Sequence, residues 1–430
     1  MKTVVKELTY EKVLALKPEK LQKPVKPGLF WRFLMQQLGK GELKATNFKA
    51  NYSGMEKLGK KEPCLILMNH SCFTDLLIAE TVFAHRPFNI VCTSDGFVGK
   101  NSLMRHLGCI PTNKFVTDFV LVRNMKYAFE KLHTSVLMYP EASYSFDGTA
   151  TPLPATLGKC LKLFDVPVVM VRTYGAFARD PLYNNLQKRK VNISADVKYL
   201  LSRKDIQNKS VDELNEILKN EFTFDNWKWQ RQNNVLITEP FRADYLNRVL
   251  YKCSKCGTEG QMVGHDIELK CMHCGAEWEL TENGSLLEKS SGKWTEAGSK
   301  NIFDNVPDWF HWEREQVRNE LSQGTYKLAV PVEIYMLVNT KAIYHVGEGT
   351  LKHDNNGFVL DGCNGELHYE QSPKASYSLY SDYYWYEIGD MICIGDMKTL
   401  YYCFPKQAGD IVAKARIATE ELYKLQDESI

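Results

Sequence analysis

The sequence predicts an α/β domain, a mostly parallel sheet flanked by helices, followed by a short cysteine-bearing module and a C-terminal antiparallel β domain with a closing helix. Three observations carry this. Between residues 60 and 200 short apolar runs alternate with helical stretches, the pattern of parallel strands joined by crossover helices. Around residue 251 the chain becomes Cys-rich and Gly-punctuated. From 326 onward it reads as strands and turns and ends in AGDIVAKARIATEELYKLQ, a helical pattern.

Residues 1–44 form a basic, amphipathic N-terminal segment. The first 27 are Lys-rich and carry Pro18, Pro24 and Pro27. GLFWRFLMQQLGKGELKA then sets Leu29, Phe30, Phe33, Leu34 and Leu38 at helical spacing, with Arg32 and Lys40 nearby. Such a helix either lies in a membrane interface with its bases near lipid phosphates, or packs its stripe on its own domain. Residues 45–250 hold the α/β domain. CLILMN (64–69), FNIVCTS (88–94), SVLMYP (135–140) and VPVVMVRT (166–173) read as strands, and LLIAETVFA, DFVLVRNMKYAFEKL and ATLGKCLKLF as helices. Ser210 followed by Glu213 opens a capped amphipathic helix. Residues 251–285 are the cysteine module, 286–325 a linker and one helix with a Trp/Phe cluster, and 326–430 the β-rich domain.

The totals set bounds on function. With 430 residues there is room for two to four domains at roughly 100–200 residues each. An apolar share of 44% and a charged share of 25% are ordinary for a soluble globular protein. A net charge of +2 gives no global field for nucleic acid. The charged start, MKTVVKELTYEKVLALKPEK, has no apolar secretory core, and no window reaches the ~18–20 apolar residues of a membrane span. The expectation is a cytoplasmic protein, peripheral on the membrane face if the helix is interfacial. Its 12 cysteines are then thiols or metal ligands.

Three features carry chemistry. In LILMNHSCFTDLL an apolar strand ends at Asn69-His70, and Asp75 follows. His70 and Asp75 meet only if His70 sits in a strand-to-helix turn and Asp75 in the first helical turn. Asp75 then fixes the imidazole tautomer and the other ring nitrogen serves as general base. The alternative is that Thr74 or Asp75 caps the helix and His70 is a turn residue. At the end of another apolar strand stands Tyr139-Pro140-Glu141-Ala142-Ser143-Tyr144-Ser145, with Glu141 where open α/β sheets place their sites. The third is Cys253-x-x-Cys256 with Cys271-x-x-Cys274, each pair followed by Gly (Gly257, Gly275). Four thiolates at this spacing describe a closed, structural tetrahedral zinc site, with iron in a rubredoxin-like knuckle as the alternative; His265 and His273 read as surface residues. The mixed charges of GTEGQMVGHDIELK between the knuckles lack the basic stripe of a nucleic-acid reader.

Taken together these residues resemble the glycerolipid acyltransferase family, which includes the 1-acyl-glycerol-3-phosphate acyltransferases. Asn69, His70 and Asp75 match its N-H-x-x-x-x-D motif. Gly108-Cys109-Ile110-Pro111-Thr112-Asn113-Lys114 is similar to its G-x-I-F-I-D-R, with Lys114 where Arg is usual. Tyr139 to Ser145 resembles F-P-E-G-T-R-S, keeping Pro140, Glu141 and Ser145, with Ala142 for Gly and Tyr144 for Arg. Val166 to Val171 resembles the V-P-[VI]-x-P-[VI] strand, with Met170 at the second proline.

Order and spacing fit over roughly residues 45–235. The resemblance implies transfer of a fatty acyl group from acyl-CoA or acyl-carrier protein to a hydroxyl of a lysophospholipid-type acceptor, 1-acyl-glycerol-3-phosphate-like. His70 and Asp75 would be catalytic, and Asn69, Gly108, Lys114, Pro140, Glu141, Ser143 and Ser145 would bind substrate. Lys114 is a point charge and Tyr144 a hydroxyl where the family uses guanidinium, which bears on the acceptor's phosphate. Residues 326–430, with a Gly347-x-Gly349 turn and the closing helix, resemble a pleckstrin-homology-like barrel; the alternative is any small antiparallel β domain. The competing function is a non-catalytic lipid- or protein-binding scaffold on a degenerate acyltransferase fold.

Overall fold

The structure is a computed structural model and describes residues 3–19, 22–115, 118–290, 293–295, 303–406 and 411–427. It divides into two compact units. One comprises residues 20–181 and 188–226; the other comprises 1–19, 182–187 and 227–430.

The first unit is built on seven strands: β1 (Lys49–Ser53), β2 (Leu65–Met68), β3 (Phe88–Thr93), β4 (Cys109–Thr112), β5 (Ser135–Met138), β6 (Val168–Tyr174) and β7 (Ser194–Leu201), in the order β1-β7-β6-β2-β5-β3-β4. The five from β6 to β4 are parallel; β7 runs antiparallel to β6, and β1 pairs parallel with β7. The sheet is therefore mixed at one edge and parallel where the two motif strands, β2 and β5, lie side by side.

β2 is apolar at every position because both of its faces are covered. Ile66 and Met68 join Leu137, Val169 and Val171 in one core. Leu65 and Leu67 join Val136, Val168 and Met170 in the other. Helices α1 (Leu29–Ala45), α2 (Thr74–Val82), α3 (Phe119–Tyr127), α4 (Leu157–Phe164) and α5 (Val211–Phe222) belong to this unit. The Ser210–Glu213 capping box opens α5 as the sequence requires.

The amphipathic stripe has two outcomes. Leu29 (82% exposed), Phe30 (66%), Phe33 (59%) and Leu38 (63%) stand out in solvent. Arg32, expected near lipid phosphates, is buried instead. Its guanidinium donates to the carbonyls of Phe83, Ala84 and Arg86, just past the C-terminus of α2. Those carbonyls have no partner within the helix and carry the negative end of its dipole, which is the physical reason the charge turns inward.

In the second unit, the antiparallel sheet that carries the cysteines has five strands. It runs past residue 285, because Leu286–Ser290 pairs with Glu277–Leu280 and then with Lys293–Thr295. Of the expected linker, residues 291–292 and 296–302 lie outside the described residues. A helix, Val306–Ser322, follows; the Trp309 indole donates to the Lys252 carbonyl and Glu313 accepts the Lys252 N–H.

The C-terminal domain has seven antiparallel strands in two meanders, 328–371 and 380–405, joined where Leu328–Leu337 pairs with Leu400–Pro405. The closing helix is Ile411–Asp427. Gly347 and Gly349 do not form a turn. They lie inside the strand Ile343–Asp354, where a side chain on Gly349 would meet the Asp361 carbonyl at 2.3 Å. The N-terminal strand Val5–Glu7 adds to this sheet, parallel to Ile343–His345.

Candidate active site

β2 and β5 are adjacent and parallel, so the turns at their carboxyl ends emerge together. The first turn runs from Asn69 to the start of α2. Asn69 is pinned to β6, the strand on the other side of β2: its Oδ1 accepts the Thr173 N–H at 2.8 Å. Asp75 is fully buried. One of its oxygens takes the amide N–H of Ser71 (2.6 Å) and of Cys72 (3.0 Å), and lies 3.1 Å from His70 Nδ1. The other accepts from the Thr173 hydroxyl at 3.3 Å.

An oxygen already receiving two N–H groups is an acceptor, so His70 Nδ1 carries the hydrogen and Nε2 keeps its lone pair. One atom of Asp75 thus both folds the turn and contacts the ring, but it does not cap α2, because the amides it takes precede the helix. The α2 N-cap itself, Phe73, makes no side-chain cap.

The second turn braces the first. Glu141 accepts the His70 N–H at 2.9 Å with one oxygen and the Thr151 N–H at 2.9 Å with the other. The Ser145 N–H donates to the His70 carbonyl at 2.8 Å, and its hydroxyl to the Thr149 carbonyl at 2.7 Å. Pro140 and Ser143 are buried beside them. The side chains of Asn69, Glu141 and Ser145, expected at substrate, are hydrogen-bonded to backbone instead: Asn69 to Thr173, Glu141 to His70 and Thr151, and Ser145 to Thr149. Ala142 adopts φ 56°, the left-handed conformation that favours glycine.

Two rings enclose the imidazole. Tyr139 stacks on it with centroids 3.8 Å apart and planes at 20°. Tyr144 meets it edge-on at 4.4 Å and 62°. The Tyr139 hydroxyl is buried without a hydrogen-bond partner. Neither contact was legible in the sequence, since each depends on the pairing of β2 with β5.

Gly108 precedes β4 at φ 84°. A side chain there would meet Pro27 at 3.0 Å and Asn89 at 3.2 Å, and Asn89 donates to the Gly108 carbonyl at 2.7 Å. Lys114 is half-buried and acts on His70 electrostatically. Burial and the Lys114 ammonium hold the His70 pKa below the ordinary imidazole value against the upward pull of Asp75. Behind the turn, burial pushes Asp180 up to about 7, beside the Cys72 thiol, and Glu80 up to about 7 against the pull of Arg32. The arrangement keeps a neutral, oriented imidazole able to take a proton at Nε2.

In the second unit, Cys253, Cys256, Cys271 and Cys274 gather their sulfurs within 4.8 Å of one another. The Cys253–Cys274 and Cys256–Cys271 separations are 3.7 and 3.8 Å. Tetrahedral zinc with bonds of ~2.3 Å requires an edge of about 3.8 Å, so the four fit such an ion. Gly257 (φ 73°) and Gly275 (φ 74°) allow the knuckle turns, closed by their N–H groups on the carbonyls of Cys253 and Cys271. The Thr258 hydroxyl holds the Cys256 thiol below its ordinary value, while burial holds Cys253 and Cys274 above theirs.

Residues 49–173 match the family model described as Acyltransferase. No curated protein matches the chain. Among solved structures, the chain is similar to the 1-acyl-sn-glycerophosphate (LPA) acyltransferase PlsC from Thermotoga maritima, with 16% identity, coverage of 45% of this chain and 80% of that one, and a TM-score of 0.34. Both turns around His70 fall inside the stretch, residues 49–173, that is similar to the acyltransferase family model.

Proposed function

We propose that this protein transfers a fatty acyl group from a thioester donor, acyl-CoA or acyl-carrier protein, to a hydroxyl of a lysolipid-type acceptor. The observation that supports this most directly is the His70 Nδ1–Asp75 contact of 3.1 Å within a turn whose amide and carbonyl are both pinned by the second turn. Neutral His70 takes the acceptor proton at Nε2 as the acceptor oxygen bonds to the acyl carbon. The carbon–sulfur bond breaks and the proton passes to the departing sulfur, leaving a free thiol. Asp75 stabilises the imidazolium formed on the way. No enzyme nucleophile takes part, so the reaction runs through a ternary complex without an acyl-enzyme.

Around this centre, Gly108, Lys114 and the 140–145 turn border the acceptor, and the four cysteines hold a structural zinc. The exposed face of α1 lies on the cytoplasmic surface of a membrane; no described helix is long and apolar enough to cross one. The strand order of the C-terminal domain favours a pleckstrin-homology-like barrel. Lys114 and Tyr144 at positions where the family uses arginine favour a second reading, a scaffold in which the cysteine module and barrel do the binding.

Purified protein with long-chain acyl-CoA and a panel of lysolipids tests the proposal by thiol release and acylated product. His70→Ala should abolish both while keeping the fold and bound zinc. No product from the native chain with either donor sinks the enzymatic reading in favour of the scaffold.

A further inference from the structure

The groups around His70 carry more negative than positive charge. Asp75 lies 3.1 Å from the ring, and Glu141 accepts the His70 amide at 2.9 Å. Both are buried, and both oxygens of each act as acceptors. Lys114 is the cation that acts on the ring. The remaining neighbours in contact with it, Tyr139 and Tyr144, are phenols.

Three buried or bonded arginines of the same unit are engaged elsewhere, and Arg123 is exposed on α3. Arg32 binds carbonyls at the end of α2, Arg105 the Lys23 carbonyl at 3.3 Å, and Arg179 the Glu42 carboxylate at 2.9 Å.

A phosphate monoester is close to a dianion at neutral pH, and it is held best by a guanidinium that binds two of its oxygens. In 1-acylglycerol-3-phosphate the reacting hydroxyl and the phosphate sit on adjacent carbons. A hydroxyl within hydrogen-bond reach of Nε2 therefore brings the dianion close to a ring backed by two buried carboxylates, with Lys114 to oppose them. At position 144 the acceptor meets an aromatic edge. Phe73, 56% exposed at the start of α2, adds apolar surface to the same turn.

We propose that the acceptor is a lysolipid with no phosphate monoester beside its reacting hydroxyl, and that Tyr144 sets this preference. The shared chemistry is a glycerol hydroxyl flanked by neutral or singly charged groups, as in a monoacylglycerol or a phosphodiester lysolipid. The proposal rests on the acyl-transfer reading above and narrows the acceptor that the sequence resemblance implied.

The test is the ratio of kcat/KM for 1-acylglycerol and 1-acylglycerophosphocholine to that for 1-acylglycerol-3-phosphate, with one long-chain acyl-CoA and the full chain. The better of the first two should exceed the phosphomonoester by about tenfold or more, the effect of roughly one charge interaction near a protein surface. Tyr144→Arg should close that gap by raising use of 1-acylglycerol-3-phosphate, whereas Tyr144→Phe should keep the gap. Equal use of all three, or preference for the phosphomonoester, overturns the proposal and leaves acyl transfer standing. Acylation of none, with acyl-carrier protein also supplied as donor, overturns acyl transfer itself and this proposal with it. The native ratio decides the acceptor class even if the arginine variant does not fold.

Discussion

Replacing Asp75 with asparagine separates its two duties. The amide oxygen can occupy the place of the carboxylate oxygen that takes Ser71 N–H, Cys72 N–H and His70 Nδ1–H, while the amide nitrogen faces the Thr173 hydroxyl, which has lone pairs to receive it. The turn therefore keeps its hydrogen bonds but loses their charge. A charged hydrogen bond contributes about 1 kcal/mol more than a neutral one, so the two amide bonds predict a loss of about 2 kcal/mol. That weakens the domain without unfolding it.

Catalysis should suffer more. Without the carboxylate the imidazolium formed during proton transfer is unsupported, and kcat should fall by about 10²–10⁴-fold. Asp75 also raises the His70 pKa against burial, so its removal lowers that pKa further. His70 acts when neutral, above its pKa; the acid limb of kcat/KM must therefore move to lower pH even as the plateau drops. Thiol release from acyl-CoA, followed across pH alongside urea unfolding, measures both effects. A natively folded Asp75→Asn protein with a plateau within about threefold of native and an unmoved acid limb would refute the base–orienter assignment and leave Asp75 as a turn brace.

Other outcomes follow from single features. Ala142→Gly should stabilise the first unit by about 1 kcal/mol, because a left-handed L-residue costs roughly 1–2 kcal/mol and glycine gives part of that back in unfolded-state entropy; urea midpoints of the two proteins check it. Chelation, or Cys271→Ser, should release one metal equivalent and strip hydrogen-exchange protection from residues 251–290, leaving 49–173 protected; loss of protection throughout would contradict a local structural role. His353, bonded to the Tyr326 hydroxyl at 3.0 Å and stacked on Phe358 at 3.7 Å, is held at about 3 by burial. The unfolded chain protonates this histidine below pH ~6.5 and the folded chain only near 3, so its contribution is intact above pH ~6.5 and falls by about 1.4 kcal/mol per unit as the pH drops between them. Denaturant midpoints from pH 7 to 5 should show that slope, and His353→Gln should flatten it.

The strands around the site were legible because they are buried on both faces, which forces unbroken apolar runs such as 65–68. The two turns were legible because parallel neighbours put their carboxyl ends side by side. What the sequence could not disclose was set by contacts between distant segments. Arg32 reads as a base on an amphipathic stripe until the carbonyls just past α2 are in place to receive it. Glu141 reads as a ligand until the His70 and Thr151 amides fill both its oxygens. The spacing of Gly347 and Gly349 suggests a turn, but close approach to the neighbouring strand is what requires a glycine at 349. Residues 5–7 carry no mark of the strand they join at 343–345.

The Glu141 clasp has a consequence for how such a site changes over time. One carboxylate ties the His70 amide to the Thr151 amide, so proton-transfer geometry is locked by groups that need not meet the acceptor. Under the proposed function, substitutions at 114 and 144 can then alter which molecule is acylated without disturbing how its proton is removed. On the acyl-transfer proposal the scaffold divides the labour: the clasp preserves the reaction, while side chains outside it are free to drift and give the same chemistry to new substrates.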